Sequence, residues 1–138
     1  MWTREVNIET TAAPTAIWEV WADVPQWPEW NADLERAELS GPFAMGSTIT
    51  MYQRGGDTTE LRIAEAVEPE RFVDEADLGN VVVRTTHRLE LLEGDRVRVI
   101  YRMEISGPQA DSVGPQIGPE ISVDFPQVLA ALVERAER

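Results

Sequence analysis

The sequence predicts an α+β fold: a curved antiparallel sheet of about seven strands wrapped around one long C-terminal helix, with two short helices between strands 1 and 2. Three observations predict it. Arg4–Thr10 and a run of segments from Glu35 to Ser106 alternate apolar and polar residues and are joined by short turns. Between them, Pro14–Leu34 has helical spacing interrupted by prolines. At the end of the chain Ile121, Phe125, Val128, Leu129, Leu132, Val133 and Ala136 recur at three- and four-residue intervals, the longest helical signal present.

In Arg4–Thr10, Val6 and Ile8 share one face and Glu5, Asn7 and Glu9 the other, the pattern of a half-buried strand. Pro14 suits the first turn of a helix, and Ile17, Val20, Trp21 and Val24 make its apolar stripe until Pro25 ends it. Pro28–Leu34 is expected to add one or two helical turns, and Trp27 and Trp30, three apart, share one face if that stretch is helical. Strands follow at Glu35–Leu39, Gly46–Arg54 and Thr59–Val67, punctuated by Gly41–Pro42, Gly55–Gly56–Asp57 and Glu68–Pro69–Glu70. Arg71–Leu78, Val81–Leu92 and Arg96–Ser106 complete the sheet through turns at Gly79–Asn80 and Glu93–Asp95. Gly107–Pro119 holds three Gly-Pro pairs and reads as a connecting loop at a cavity mouth. The closing helix is expected to begin near Gly118 and to kink at Pro126.

A chain of 138 residues is most simply one domain, 1–138, large enough to bury a core. It has no cysteine, which excludes disulfides, thiolate metal sites and a cysteine nucleophile. With 12 basic against 25 acidic residues the net charge is −13. Nucleic acid and anionic membranes are therefore unfavourable partners. No apolar run reaches the roughly 20 residues of a membrane span, and a cytoplasmic location is expected. A homodimer is left open without being indicated. One histidine makes a metal site improbable, and no serine stands in a nucleophile elbow.

Turn lengths set the register. A two-residue turn at Gly79–Asn80 pairs Phe72 with His87 and Asp74 with Thr85; a three-residue turn at Glu93–Asp95 pairs His87 with Tyr101, Leu89 with Val99 and Thr85 with Met103. One face then carries these residues with Ala76, Val83, Val97 and Ile105. The other carries Arg84, Arg88, Glu90, Arg98, Arg102 and Glu104 and faces water. On the inward face Asp74, Thr85, His87 and Tyr101 cluster among apolar neighbours. Imidazole, carboxylate and phenol in a partly dry pocket can transfer protons near neutral pH. The same groups can equally satisfy one another, or orient a ligand.

Several motifs resemble the START-like (SRPBCC) superfamily, the helix-grip fold, and within it the polyketide cyclase/dehydrase-like group. They are Ala13–Pro14 before Ile17–Trp18, the DVPQWPEWN stretch from Asp23, VEPERF (Val67–Phe72), Thr85–Pro108 and DFPQVLAALVERAE (Asp124–Glu137). The resemblance spans the chain. It implies a deep cavity between sheet and C-terminal helix suited to a small hydrophobic or aromatic molecule, with no metal or nucleotide cofactor. In that pattern Trp27 and Trp30 close one end of the cavity, Trp30 being the one to touch a ligand. The candidate lining from the sheet is Met51, Ile63, Phe72, Thr85, His87 and Leu89, then Val99, Tyr101 and Met103; from the helix it is Ile121, Phe125, Val128 and Leu129. Two functions are carried forward. One is a carrier or sensor of such a molecule. The alternative is a cyclase or dehydratase using His87 and Tyr101, with Asp74, for proton transfer. The predicted inward face lacks arginine, unlike the polar pockets that the resemblance associates with aromatic cyclases. An interaction domain is the third reading, and the acidic exterior gives it little support.

Overall fold

A computed structural model describes residues 1–138. Seven strands form one antiparallel sheet: β1 (Trp2–Thr10), β2 (Leu34–Ser40), β3 (Thr48–Gln53), β4 (Thr58–Val67), β5 (Arg71–Asp77), β6 (Val82–Leu91) and β7 (Val97–Ser106). Their spatial order is β1-β7-β6-β5-β4-β3-β2. From β2 to β7 consecutive strands are hairpins, and β7 returns to pair with β1. The chain must then cross from the β1 edge to the β2 edge. It does so through α1 (Pro14–Ala22) and a short 3₁₀ helix, Val24–Glu29.

The register deduced from the turns holds. Phe72 opposes His87, Asp74 opposes Thr85, His87 opposes Tyr101 and Leu89 opposes Val99. The inward residues of β5–β7 are buried, apart from half-buried Leu89. On the outer face arginines and glutamates interleave: Glu75 takes Arg84 at 3.0 Å and Arg62 at 2.7 Å, and Glu90 takes Arg98 at 3.0 Å. Such solvent-facing pairs are worth roughly 0–1 kcal/mol each, so they keep the face soluble more than they hold it together. The alternation fails at two outward positions. Val73 and Ile100 are buried on that face, Ile100 flanked in register by Asn7 and Arg88. Long outer side chains cover apolar neighbours with their stems while keeping their charges in water.

The end of the chain departs from expectation. Gly107–Pro119 is not a loop: Ala110–Ser122 is a helix, α2, followed by α3 (Phe125–Ala136). Val123 and Asp124 between them keep right-handed helical angles, so the two make one bent helix, and Pro126 sits in the first turn of α3. Glycine and proline composition argues for a loop, but spacing wins. Ala110, Gly114, Gly118 and Ser122 are four apart and all buried, whereas Pro115 and Pro119 point to solvent. The small stripe lets α2 lie directly on Trp2. A Cβ at Gly118 would stand 2.5 Å from the Trp2 ring, and one at Gly114 would stand 2.6 Å from its Cβ. Tertiary contact thus overrides poor intrinsic propensity.

Both α2 and α3 pack on β1, and α2 also on β7, while α1 packs on α3. The helices therefore cover only one side of the concave sheet. Val99, Met103, Ile105, Leu129, Leu132 and Val133 fill that side. Over β3–β6 nothing comparable covers the sheet, and a cavity lies there.

Candidate functional site

The cavity has a volume of about 460 Å³. Its floor is the uncovered sheet. Met51 and Gln53 come from β3, Thr59 and Leu61 from β4, Phe72, Asp74 and Ala76 from β5, and Val83, Thr85 and His87 from β6; β7 gives only Tyr101. Trp21, Trp27 and Trp30 wall one side, and Phe125 and Val128 the helix side. Solvent-accessible Asn31, Asp33, Leu78, Glu120, Ile121 and Asp124 form the rim.

The aromatic wall follows from local sequence. Pro25 and Pro28 confine the backbone between α1 and β2 to a tight 3₁₀ helix. Three residues per turn eclipse side chains at i and i+3. Trp27 and Trp30 consequently meet edge to face, 6.1 Å apart, and both are buried. Trp27 Nε1 donates to the Trp21 carbonyl at 3.0 Å, which ties this turn to α1. Trp21 is fully buried and its Nε1 donates to the Tyr101 hydroxyl at 3.1 Å. It also stands edge-on to Phe72 at 5.2 Å.

At the floor, His87 stacks flat on Phe72, with ring centroids 3.9 Å apart, and Tyr101 meets it edge-on at 4.6 Å. His87 Nδ1 lies 3.2 Å from the Phe72 carbonyl oxygen. A carbonyl only accepts, so Nδ1 carries the proton and Nε2 presents its lone pair. Nε2 is 3.9 Å from Asp74 Oδ2, beyond hydrogen-bond range. Burial decides the charges. It pushes the His87 pKa down to about 3, opposed only by the Phe72 carbonyl. Burial, with the Glu75 charge adding to it, lifts Asp74 to about 7. The pair is therefore neutral imidazole beside a carboxyl that keeps its proton up to neutral pH, not an ion pair. Burial likewise raises the Tyr101 phenol, which stays protonated. At the rim, burial and the facing carboxyl of Asp33 hold Asp124 up at about 6.

Of the residues anticipated from sequence, Trp27, Trp30, Met51, Phe72, Thr85, His87, Tyr101, Phe125 and Val128 line the cavity, with Asp74 beside them. Ile121 lines it from the rim and is 41% exposed. Ile63, Leu89, Val99, Met103 and Leu129 do not line it. Val99, Met103 and Leu129 face inward but lie under the helices, and are buried in the core. Ile63 is fully buried next to the β4 bulge, and Leu89 is half-buried at the closed end of the β6–β7 hairpin. Sequence reasoning missed Trp21, Leu34, Gln53, Leu61, Ala76 and Val83 as lining, and the rim acids Asp33, Glu120 and Asp124. Gln53 follows from Met51 by strand alternation; nothing local marks the rim acids.

Apart from His87 and Tyr101, every titratable side chain on the lining is a carboxyl: Asp33, Asp74, Glu120 and Asp124. The chain contains no lysine, and none of its 12 arginines reaches the cavity. An imine with a side-chain amine is thereby excluded.

No protein-family model and no curated protein sequence matches this chain. Solved structures do. A START superfamily protein from Mycobacterium smegmatis superimposes with a TM-score of 0.72 at 14% identity, covering 98% of this chain and 97% of that one. Norcoclaurine synthase from Thalictrum flavum gives 0.74 at 15% identity, over 96% of this chain and 84% of that one. The di-domain ARO/CYC BexL of the BE-7585A biosynthetic pathway gives 0.76 at 13% identity; 99% of this chain is covered, and it spans half of that protein. At such identities the likeness is one of fold. The fold is the START-like, polyketide cyclase-like helix grip that the sequence motifs resemble.

Proposed function

We propose that this protein binds a small, largely hydrophobic or aromatic molecule in the cavity between β3–β6 and the bent C-terminal helix. The observation that carries the reading is the cavity itself, about 460 Å³ with three tryptophans, two phenylalanines and a tyrosine in its lining. That volume and a mainly apolar lining with a few convergent polar groups are what small-molecule sites show. The protonated Asp74, the neutral His87 and the Tyr101 hydroxyl supply orienting hydrogen bonds without the cost of burying a charge. The test is a titration with the neutral, solvatochromic dye Nile red. The wild type is expected to enhance its emission with saturation. Ala76→Trp, which places an indole in the cavity, should abolish the enhancement while thermal unfolding stays cooperative. Equal enhancement by this variant would sink the proposal.

A cyclase or dehydratase is the second reading, favoured by one observation. Asp74, at about 7, is poised to give or take a proton at physiological pH. His87, at about 3, is too weak a base for that work, so the role first given to the histidine passes to the carboxyl. The similarity in fold to BexL and to norcoclaurine synthase supports a cavity able to house chemistry. If turnover of a polyketone-like substrate is found, Asp74→Asn should lower its rate by roughly 10²–10⁴, whereas a pure carrier would lose only affinity.

A further inference from the structure

Resting on the binding reading, we infer that the ligand enters with a hydroxyl group foremost, an alcohol or phenol whose oxygen bridges His87 Nε2 and the Asp74 carboxyl on the cavity floor. The geometry of two deeply buried side chains carries this. Asp74 and His87 are 6% and 8% exposed, and both line the cavity. Each has a polar edge with no partner in the protein. His87 Nδ1 donates to the Phe72 carbonyl oxygen at 3.2 Å, which leaves Nε2 as a bare lone pair. Asp74 Oδ2 stands 3.9 Å from that nitrogen, too far for a direct bond. The side-chain polar atoms that are both partnerless and sealed from solvent are Trp30 Nε1 and Gln53 Oε1. His87 Nε2 and the Asp74 oxygens are partnerless but not sealed, and in residues so deeply buried the space they reach is the cavity.

The 3.9 Å gap defines what fits. An oxygen about 2.8 Å from each atom spans it with an angle of about 90° at the oxygen, within ordinary hydrogen-bond geometry. That oxygen must donate on one side, because Nε2 only accepts while the Phe72 carbonyl holds the proton on Nδ1. On the other side it meets a carboxyl that burial holds in its protonated form below about pH 7, and which donates in turn. A hydroxyl has one proton and two lone pairs and satisfies both. A ketone or ether sets a lone pair against Nε2, and an ammonium has no lone pair for the carboxyl proton. A carboxylate adds a buried charge with no cation on the lining to meet it. Two more hydroxyls flank the spot. Thr85 opposes Asp74 in the register and is 9% exposed; the Tyr101 oxygen accepts from Trp21 Nε1 and keeps its own proton to donate. Phe72 stacked on the imidazole, with Tyr101 and Trp21 at its edge, surrounds these polar groups with aromatic surface, so the hydroxyl arrives on an apolar body.

Two probes of like size, 2-naphthol and 2-methylnaphthalene, test this by isothermal titration at about pH 6. An apolar pocket prefers the methyl compound, since burying an unpaired hydroxyl is unfavourable. The wild type should instead bind 2-naphthol the more tightly. In His87→Phe and in Asp74→Leu, which put apolar groups of similar size on the floor, the order should reverse, the affinity ratio moving by about 10-fold or more. His87 is the sole histidine, so in protein labelled with 15N-histidine its Nε2 gives one resonance. That resonance should move upfield on adding 2-naphthol, as an unprotonated ring nitrogen does on accepting a hydrogen bond, and should hold still with 2-methylnaphthalene. If the ratio is the same in the wild type and both variants, or Nε2 ignores 2-naphthol, the hydroxyl sits elsewhere: the inference is overturned and the cavity reading stands. If neither probe binds, the inference falls, and the cavity reading falls with it only where Nile red emission is also unchanged.

Discussion

Replacing Asp74 by Asn should change how stability depends on pH, and the size of the change follows from the cavity floor. In water the proton of an Asp–His pair resides on the histidine. Here burial disfavours both charged forms and reverses the order, with Asp74 at about 7 and His87 at about 3. A carboxyl raised from 3.8 to about 7 binds its proton more tightly folded than unfolded. It contributes stability that is complete below pH 3.8 and is lost as pH rises towards 7. At about 1.4 kcal/mol per pH unit that loss amounts to about 4 kcal/mol. A histidine lowered from 6.5 to about 3 works the other way, its contribution being complete above pH 6.5 and lost as pH falls. Between about pH 4 and 6.5 the two slopes cancel, so the wild type owes no net pH dependence to this pair. Asp74→Asn removes one slope. Measured by urea unfolding, the variant's stability relative to wild type should grow by about 4 kcal/mol from pH 4 to 7.5, the gain being in the variant's favour at the alkaline end. His87→Phe should show the mirror image, gaining on the wild type as pH falls from 6.5 towards 4. A difference constant with pH for Asp74→Asn would refute the reasoning, because it would mean that the carboxyl titrates as it does in water.

Two further outcomes follow from the packing. Tyr101→Phe removes the acceptor for Trp21 Nε1 and leaves that donor buried, so the variant should lose about 1–3 kcal/mol of stability in denaturant titration. Gly118→Ala places a methyl 2.5 Å from the Trp2 ring and should cost about 1–3 kcal/mol. A Trp2→Ala background should remove most of that penalty in a double-mutant cycle, whereas additive costs would mean that α2 does not rest on Trp2.

The sheet was legible because its determinants are local. The Gly79–Asn80 and Glu93–Asp95 turns fix loop length, loop length fixes register, and register decides which alternate residues share a face. The pairing of His87 with Tyr101 and Phe72 follows from that alone. What alternation cannot decide is which part of an inward face a helix will cover. Val99, Met103 and Leu129 face inward as surely as Phe72 or Thr85, yet they lie beneath the helices, because α2 and α3 dock on β1 and β7. The docking depends on the four-residue repeat of Ala110, Gly114, Gly118 and Ser122. Its meaning appears only when Trp2, more than 100 positions earlier, arrives against it. The rim acids were hidden in the same way. Asp33 and Asp124 are two acids among 25 until the fold sets them face to face.

The tryptophans answer a physical problem that the cavity creates. The cavity opens to water at its rim, yet every core side chain that fails to fill it forgoes packing worth about 24 cal/mol per Å³ in a closed core. A fold keeps such a space only if neighbouring side chains cannot collapse into it and if it admits polar occupants. Both conditions are met here. Edge-to-face contacts couple Trp18 to Phe43, Phe43 to Phe72 and Trp21 to Phe72 in a braced aromatic chain, and Trp27 and Trp30 brace each other at the cavity's end. Rings in this arrangement gain from each contact and have few rotamers through which to slump inward. Beneath them Asp74, Thr85 and His87 present polar groups in uncharged form. A core selected for stability alone would replace these groups with aliphatic side chains and close the gap. Holding the space open with braced rings, and lining it with polar groups in uncharged form, is the arrangement that the proposed occupant would repay.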